Sequence, residues 1–330
     1  MKKVFYIIPL YNSEDTISRC LFSIYSSKYH LEIIVINDNS QDNSELVVKS
    51  IKNKLSYKLH LINNKNNIGI SRSLNKGIEM AISKNADYLM RLDSDDFNKK
   101  GRTDFQIDYL ESNPKKMICT GNADLLIDGT ITESKIVSLQ SIFENQFRPF
   151  TNLIGSLDLH PTFCMRIKPF KNLGMRYGIL PLSFSLNYHS FFMREGMEDL
   201  LLINLFIFYY GYGCICRHAD KKLIIYSINN SGLTPVNKKL RNSLLKEIFR
   251  VNQLIYNRGI SEKNNLTTIY KLARSISYHQ YRNQLKRSIF TFLGFLILNI
   301  NFSNMLYKLL LFPVLFFMTP RLIIQSLKKV

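Results

Sequence analysis

The stretch Tyr88-Leu89-Met90-Arg91-Leu92-Asp93-Ser94-Asp95-Asp96 sets a short β-rich run directly against three carboxylates within four residues. Earlier runs at Val4–Ile8, Glu32–Ile36 and Leu59–Ile62 precede it at intervals of 27 to 29 residues. Helix-compatible segments lie between them, at Glu14–Tyr29, Gln41–Leu55 and Ile70–Ser83. This alternation predicts βαβ units and a mainly parallel, Rossmann-like sheet flanked by helices. Each run is followed by a polar cluster: Pro9-Leu10-Tyr11-Asn12-Ser13-Glu14, then Asn37-Asp38-Asn39-Ser40, then Asn63 to Asn67 with Gly69 and Arg72, then Asp93 to Asp96. All four leave the carboxyl ends of strands, where open α/β sheets form their ligand crevice, so one shared site is expected. Turn chemistry explains Asn39 and Ser40 well, but three neighbouring aspartates poorly.

Further along, the spacing predicts a helix near Thr103–Glu111, strands near Met117–Thr120 and Ala123–Ile127, a loop-rich stretch over Lys168–Tyr188, and a helix from Glu198 to Tyr210. Residues 236–330 read as helical, with Leu240–Arg258 and Thr267–Lys286 followed by an apolar pair split at Asn301-Phe302-Ser303-Asn304. The division is therefore residues 1–100, residues 101–235 and a tail, 236–330.

The 330 residues carry a formal charge of +19. Residues 236–330 hold 16 Lys and Arg against Glu247 and Glu262, a surplus of +14 that leaves only +5 for the rest. The same tail contains the most apolar stretch, Ile289–Met318. A nucleic-acid reader would interleave basic residues with stacking aromatics or show a recognised module, and neither is present. Basic flanks beside an apolar surface suit an anionic membrane face. Asn299, Asn301, Ser303, Asn304 and Pro313 interrupt the apolar runs, which favours two interfacial or re-entrant helices over a spanning one, with two core helices packed against the rest of the chain as the other reading. No secretion signal is visible, since the apolar run after Lys2-Lys3 ends at Pro9. Five cysteines give no paired framework, so reduced thiols are expected. The cluster Cys214-Ile215-Cys216-Arg217-His218 offers three ligands at cramped spacing, and buried thiols are the better reading than zinc.

The Asp93-Ser94-Asp95-Asp96 cluster suits a divalent cation, Mn2+ or Mg2+, holding a diphosphate. Such a cation takes one or two carboxylates and keeps positions open for phosphate oxygens and water. Asp93 and Asp95 are the candidate metal ligands, with one of them also able to meet sugar or ribose hydroxyls. An EF-hand is excluded because Phe97 and Asn98 stand where the loop would need Asp or Asn and then Gly. A helix N-cap accounts for one carboxylate only. There is no Walker lysine loop and no Gly-x-Gly-x-x-Gly, so phosphate is not gripped as in an ATPase or a dinucleotide enzyme.

The order of motifs, Ile7-Ile8-Pro9-Leu10-Tyr11-Asn12-Ser13-Glu14, residues 32–42, residues 67–77 and Leu92-Asp93-Ser94-Asp95-Asp96, resembles the inverting family 2 glycosyltransferases of the GT-A fold. The resemblance is strong over residues 1–110 and patchy over 111–235. Beyond that it is limited to a general habit of a membrane-associating tail. It implies a nucleotide-sugar donor, most simply a UDP-sugar. Pro9, Tyr11, Asn12 and Glu14 would line the nucleoside pocket, Asp38 would bond the base or ribose, Arg72 would meet the diphosphate, and Asp93 and Ser94 would contact the nucleotide sugar. Asn39 stands where the family has Gly, and Asn is the residue that best tolerates the left-handed conformation required there.

Gly196-Met197-Glu198-Asp199 resembles the family's Glu-Asp pair, which makes Asp199 the base for the acceptor hydroxyl. Acids also favour the first turn of any helix, so the pair has a purely structural reading as well. His160, in Leu159-His160-Pro161-Thr162, resembles the family's acceptor-side segment, and with Glu198 it is assigned to the acceptor. The family's Tyr-Arg-x-His element corresponds to Tyr226-Ser227-Ile228-Asn229, which lacks Arg and His; Arg217, His218 or Lys222 could substitute. With no Trp in the chain, the Gln-x-x-Arg-Trp element of processive synthases is absent, which points to single-sugar transfer. The expected acceptor is a lipid-linked glycan of a bacterial surface polysaccharide, at the cytoplasmic face of the inner membrane. The alternative is a non-catalytic, membrane-associated nucleotide-sugar-binding protein on the same fold.

Overall fold

A computed structural model describes residues 1–133, 159–179, 198–210 and 212–228, all within one compact unit that covers residues 1–259. The basic, apolar tail at 236–330 and the helices read there lie outside the described residues. Among the described residues no helix is long and apolar enough to cross a membrane.

The described strands are β1 (Lys3–Leu10), β2 (His30–Asn37), β3 (Lys58–Asn63), β4 (Tyr88–Arg91), β5 (Phe97–Asn98), β6 (Ile118–Ile127), β7 (Thr130–Thr132), β8 (Cys164–Arg166) and β9 (Ile215–Ser227). They form one sheet in the order β3-β2-β1-β4-β8-β6-β9-β5, with β7 hairpinned onto β6. The helices are α1 (Ile17–Phe22), α2 (Ser44–Ile51), α3 (Ile70–Ser83), α4 (Arg102–Ser112), α5 (Lys168–Asn172) and α6 (Glu198–Tyr210).

Strands β1 to β4 pair in parallel. Their side chains alternate between two cores, which is why the runs read as almost continuously apolar. From β1, Phe5 and Ile7 join Leu74, Ile78 and Ala81 of α3 and Phe206 of α6 on one face. Val4, Tyr6 and Ile8 join Ile17 of α1, Val48 of α2 and Ile107 of α4 on the other. Helix α3 settles low on the sheet because Gly77 has no Cβ; one would lie 2.6 Å from Ile7 Cγ2 and 3.0 Å from Ile36 Cδ1. That depth sets the position of the helix's N-terminal end, at Gly69, beside the end of β2.

The expectation of a mainly parallel sheet is corrected beyond residue 100. There β8 runs antiparallel to both β4 and β6, and β5 antiparallel to β9, while β6 and β9 are parallel, so the whole is a mixed α/β sheet. The two expected strands at 117–120 and 123–127 are one strand, β6. It keeps pairing through a bulge at Gly121-Asn122 because Leu223 occupies the space of the missing Gly121 Cβ, which would lie 2.4 Å from Leu223 Cδ1.

Helix Ile70–Ser83 forms with the boundaries read from the sequence, whereas the expected helix over 14–29 shrinks to α1. Before it, the Ser13 and Glu14 amides donate to Ser44 Oγ (2.7 Å) and Asp42 Oδ2 (3.0 Å). After it, Ser26 Oγ accepts from the amides of Lys28 and Tyr29. Side chains that satisfy backbone amides in this way compete with helix continuation. Residues 168–172 of the expected loop-rich stretch are helical.

The five cysteines are unpaired, four of them buried. The Cys214–His218 cluster enters β9, where Cys216 Sγ lies 3.4 Å from His218 Nε2. Among the described residues no group of three or more His, Cys, Asp or Glu is arranged to hold a metal.

Candidate active site

The chain runs from β1 to β2 and β3 on one side, then returns through α3 to β4 on the other side of β1. That reversal is the switch point at which α/β sheets open their crevice. Ser13 Oγ, just past β1, and Ser94 Oγ, just past β4, lie 2.8 Å apart and join its two lips. The Cys20 thiol contacts Asp93 O from α1 at 3.3 Å.

On the β1 lip, Pro9 is half-buried in the strand and Tyr11 is 49% exposed. Asn12 takes a left-handed φ of 48° and Asn39 one of 62°, so Asn39 adopts the conformation expected of it. The β1 and β2 loops are laced together. Asn12 N donates to Ser40 Oγ (3.1 Å), Gln41 N to Asn12 Oδ1 (2.8 Å), and Asn43 N to Glu14 Oε2 (2.7 Å).

Asp38 is buried, and both its oxygens are engaged. Oδ1 accepts from Asn64 Nδ2 (2.8 Å) and Ile68 N (2.9 Å), and Oδ2 from Gly69 N (2.9 Å). In this structure Asp38 ties the end of β2 to the loop that starts α3. Arg72 is exposed in the first turn of that helix.

On the β4 lip, Arg91 is 1% exposed, and its guanidinium pairs with Asp93 and with the Leu92 carbonyl. Asp96 is buried; its Oδ1 accepts from Ser227 N at 2.8 Å and its Oδ2 has no partner. Burial, with the charges of Asp93 and Asp95 beside it, pushes the Asp96 carboxyl well above the usual range. The unpartnered buried oxygen of Asp96, with Asp93 and Asp95 beside it, is a feature that a divalent cation would satisfy, although the carboxylates are not arranged as a formed metal site.

The end of β9 closes this lip, with Ser227 Oγ donating to Asp95 O at 2.6 Å. Arg19 of α1 reaches the same carbonyl at 3.2 Å and stacks over Phe97 at 4.4 Å. It is a cation that the sequence reading did not consider here. Two of the suggested substitutes for Tyr-Arg-x-His have other neighbours: His218 packs edge-on against Phe105 and Tyr109, and Lys222 lies 4.0 Å from Asp124.

The third wall is built by His160, Tyr177 and the first turn of α6. His160 Nε2 lies 3.0 Å from the Tyr177 hydroxyl and His160 Nδ1 3.9 Å from Glu198 Oε1. Burial, then the nearby Arg91 charge, holds His160 well below its usual range, so it is neutral. Burial, then Asp199, pushes the Glu198 carboxyl up to about 7, and the charges of Arg91 and Asp93 also act on it. The Asp93 charge on the β4 lip thus reaches Glu198.

This wall is held in place by residues that the sequence reading missed. Arg102 of α4, 2% exposed, donates to Arg91 O (2.9 Å) and Pro161 O (2.8 Å). It also reaches Asn98 Oδ1 (2.7 Å) and Gln106 Oε1 (2.9 Å). Gln106 Nε2 donates to Thr162 O (2.8 Å) and Cys119 O (2.7 Å). Their spacing of four on one helix face was visible, but nothing in it indicated burial. Arg91, a lone cation in an apolar strand, was the readable signal.

Residues 6–174 match the profile of Glycosyl transferase family 2. An uncharacterised glycosyltransferase of Haemophilus influenzae is 38% identical over 108 residues, 32% of this chain and 32% of that protein. A poly-β-1,6-N-acetyl-D-glucosamine synthase of Staphylococcus aureus is 31% identical over 123 residues, 37% of this chain and 29% of that protein. The matched segment therefore spans about a third of the length of these curated relatives.

Among solved structures, S. aureus TarS 1–349 in complex with UDP-GlcNAc superposes with a TM-score of 0.58 at 16% identity, over 93% of this chain and 78% of that one. The mannosyltransferase PcManGT from Pyrobaculum calidifontis, in complex with GDP-Man and Mn2+, gives 0.56 at 12% identity, over 93% and 78%. These likenesses show the shared GT-A layout of the mixed sheet.

Proposed function

The chain belongs to glycosyl transferase family 2, and from that premise we propose that it moves a single sugar, with inversion, from a nucleotide-diphosphate sugar to a hydroxyl of a lipid-linked glycan. The observation that supports this reading is the gathering of acids from two separate elements: Asp93 at the end of β4 lies near enough for its charge to act on Glu198, which adjoins Asp199 at the start of α6.

The donor's nucleoside lies against Pro9, Tyr11, Asn12 and Glu14, in a pocket shaped by Asp38, and Arg72 faces the diphosphate. Asp93 and Asp95 would hold Mn2+ or Mg2+, which when bound neutralises diphosphate charge and stabilises its departure. Asp199 takes the proton from the acceptor hydroxyl as that oxygen attacks the anomeric carbon. The new carbon–oxygen bond forms on the face opposite the breaking bond to phosphate, and the nucleoside diphosphate leaves with that electron pair. A UDP-sugar is the donor supported by the likeness to TarS, a protein solved with UDP-GlcNAc.

The basic, apolar tail supports a site of action on an anionic membrane surface, at the cytoplasmic face of the inner membrane, in the building of a surface polysaccharide such as O-antigen, capsule or lipooligosaccharide. A panel of UDP-, GDP- and dTDP-hexoses, scored for release of nucleoside diphosphate with manganese, tests the activity. Absence of turnover and of metal-linked nucleotide binding across the panel overturns it. Release of the full chain from membranes by high salt, without detergent, distinguishes surface attachment from insertion.

A further inference from the structure

His160, Tyr177 and Glu198 come from three separate pieces of chain: the turn at 160–162, the segment after α5, and the first turn of α6. Tyr177 is fixed by Asn75 of α3, whose Oδ1 accepts from Tyr177 N (2.8 Å) and whose Nδ2 donates to Tyr177 O (2.9 Å). Its hydroxyl meets His160 Nε2 at 3.0 Å, and His160 Nδ1 faces Glu198 Oε1 at 3.9 Å. Glu198 is 6% exposed, yet its Oε2 has no hydrogen-bond partner. Buried polar atoms are almost always partnered, so an orphan oxygen in a crevice points to a ligand group that completes it.

A neutral imidazole has one N–H and one lone pair, and the bond made by one nitrogen decides the other. Nε2 lies within reach of the Tyr177 hydroxyl proton, and a carboxyl oxygen is what Nδ1 faces, so the arrangement that serves both nitrogens has the phenol donating to Nε2. The ring's N–H is then at Nδ1, facing the carboxyl. Glu198 stands beside the assigned base, Asp199, and within reach of the Asp93 charge. The space between a base and a diphosphate-holding aspartate is where a transferred sugar ring must sit.

We propose that Tyr177 and His160 are positioning residues for Glu198: the phenol fixes the Nδ1–H tautomer, the imidazole steadies the carboxyl, and Oε2 hydrogen-bonds a hydroxyl of the sugar being transferred. This rests on the glycosyltransferase reading above, but its first test does not need turnover. Long-range 1H–15N NMR of the full chain, with His160 signals identified by their loss in His160→Gln, reads the tautomer directly. The expected pattern is protonated Nδ1 with bare Nε2, giving way to mixed tautomers in Tyr177→Phe; an Nε2–H tautomer in the wild type overturns the proposal.

The second test is kinetic, with the same sugar-nucleotide panel and manganese. Tyr177→Phe should lower kcat about tenfold in the wild-type background, the effect of losing one hydrogen bond, and cause no further loss in a Glu198→Gln background. Equal losses in both backgrounds would make Tyr177 merely structural and overturn the proposal. A wild type that turns over no sugar nucleotide defeats the glycosyltransferase reading, while the NMR result still judges the Tyr177–His160 hydrogen bond separately.

Discussion

Ser13 and Ser94 share a 2.8 Å hydroxyl contact across the strand switch, so the nucleoside-side loop and the acidic loop are joined by one hydrogen bond. Ser94→Ala removes it without adding bulk. The expected cost is about 1 kcal/mol of stability, read as a lower urea midpoint at unchanged slope, with nucleotide affinity weakened several-fold. Unchanged affinity would mean that the lips do not need this joint.

Asp199→Asn keeps shape and removes the proposed base. Turnover of the accepted sugar nucleotide should fall by about 10²- to 10⁴-fold, while calorimetric nucleotide binding stays within about twofold of wild type. Retained turnover would move the base elsewhere.

Asp95 offers a test of the metal, because Ser227 and Arg19 hold its backbone carbonyl, an anchor that a change of side chain leaves in place. A nucleoside diphosphate should raise the thermal midpoint of the wild type only when manganese is present, by the mass-action linkage of binding to folding. Asp95→Ala should lose that manganese-dependent rise, read against its own midpoint without ligand.

Glu198 makes a signed prediction about pH. Its carboxyl is raised from 4.5 to about 7, so between those values the folded chain keeps a proton that the unfolded chain has lost. Stability therefore falls as pH rises through that window and levels off above 7. Glu198→Gln, which cannot ionise, should match the wild type near pH 4.5 and gain relative to it up to pH 7, by on the order of 3 kcal/mol at about 1.4 kcal/mol per pH unit. Parallel stability curves for the two proteins would show that Glu198 is not held in this way.

Arg102 holds two carbonyls and two side chains in a buried setting. Lysine cannot reproduce that fork. Arg102→Lys should cost about 2–4 kcal/mol and lower turnover as the His160 turn loosens, as measured by chemical denaturation and by the sugar-nucleotide assay.

The first hundred residues were legible because β1, β2 and β4 are buried on both faces, which makes those runs apolar, and because each of the first four strands ends in residues with recognisable chemistry. The second half was harder for identifiable reasons. Strand β8 is only Cys164-Met165-Arg166, too short to show a period. Strand β9 carries Asp220-Lys221-Lys222 at its middle, where the sheet bulges and alternation fails. Asp199, Glu198 and His160 were singled out through their motif neighbours. Tyr177 reaches His160 through a loop without pattern, and Arg102 and Gln106 are polar residues whose burial follows only from the closure of α4 over the sheet. Asp38 was recognised, yet the loop it holds was invisible until Ile68 and Gly69 were seen to donate to it.

The bond from Ser227 N to Asp96 spans 131 residues of chain. During synthesis the acidic loop therefore leaves the ribosome long before the strand that satisfies it, and a chain stopped anywhere before β9 carries the carboxylates without their closing amide. Completion of the site is thus a late event in the life of each molecule.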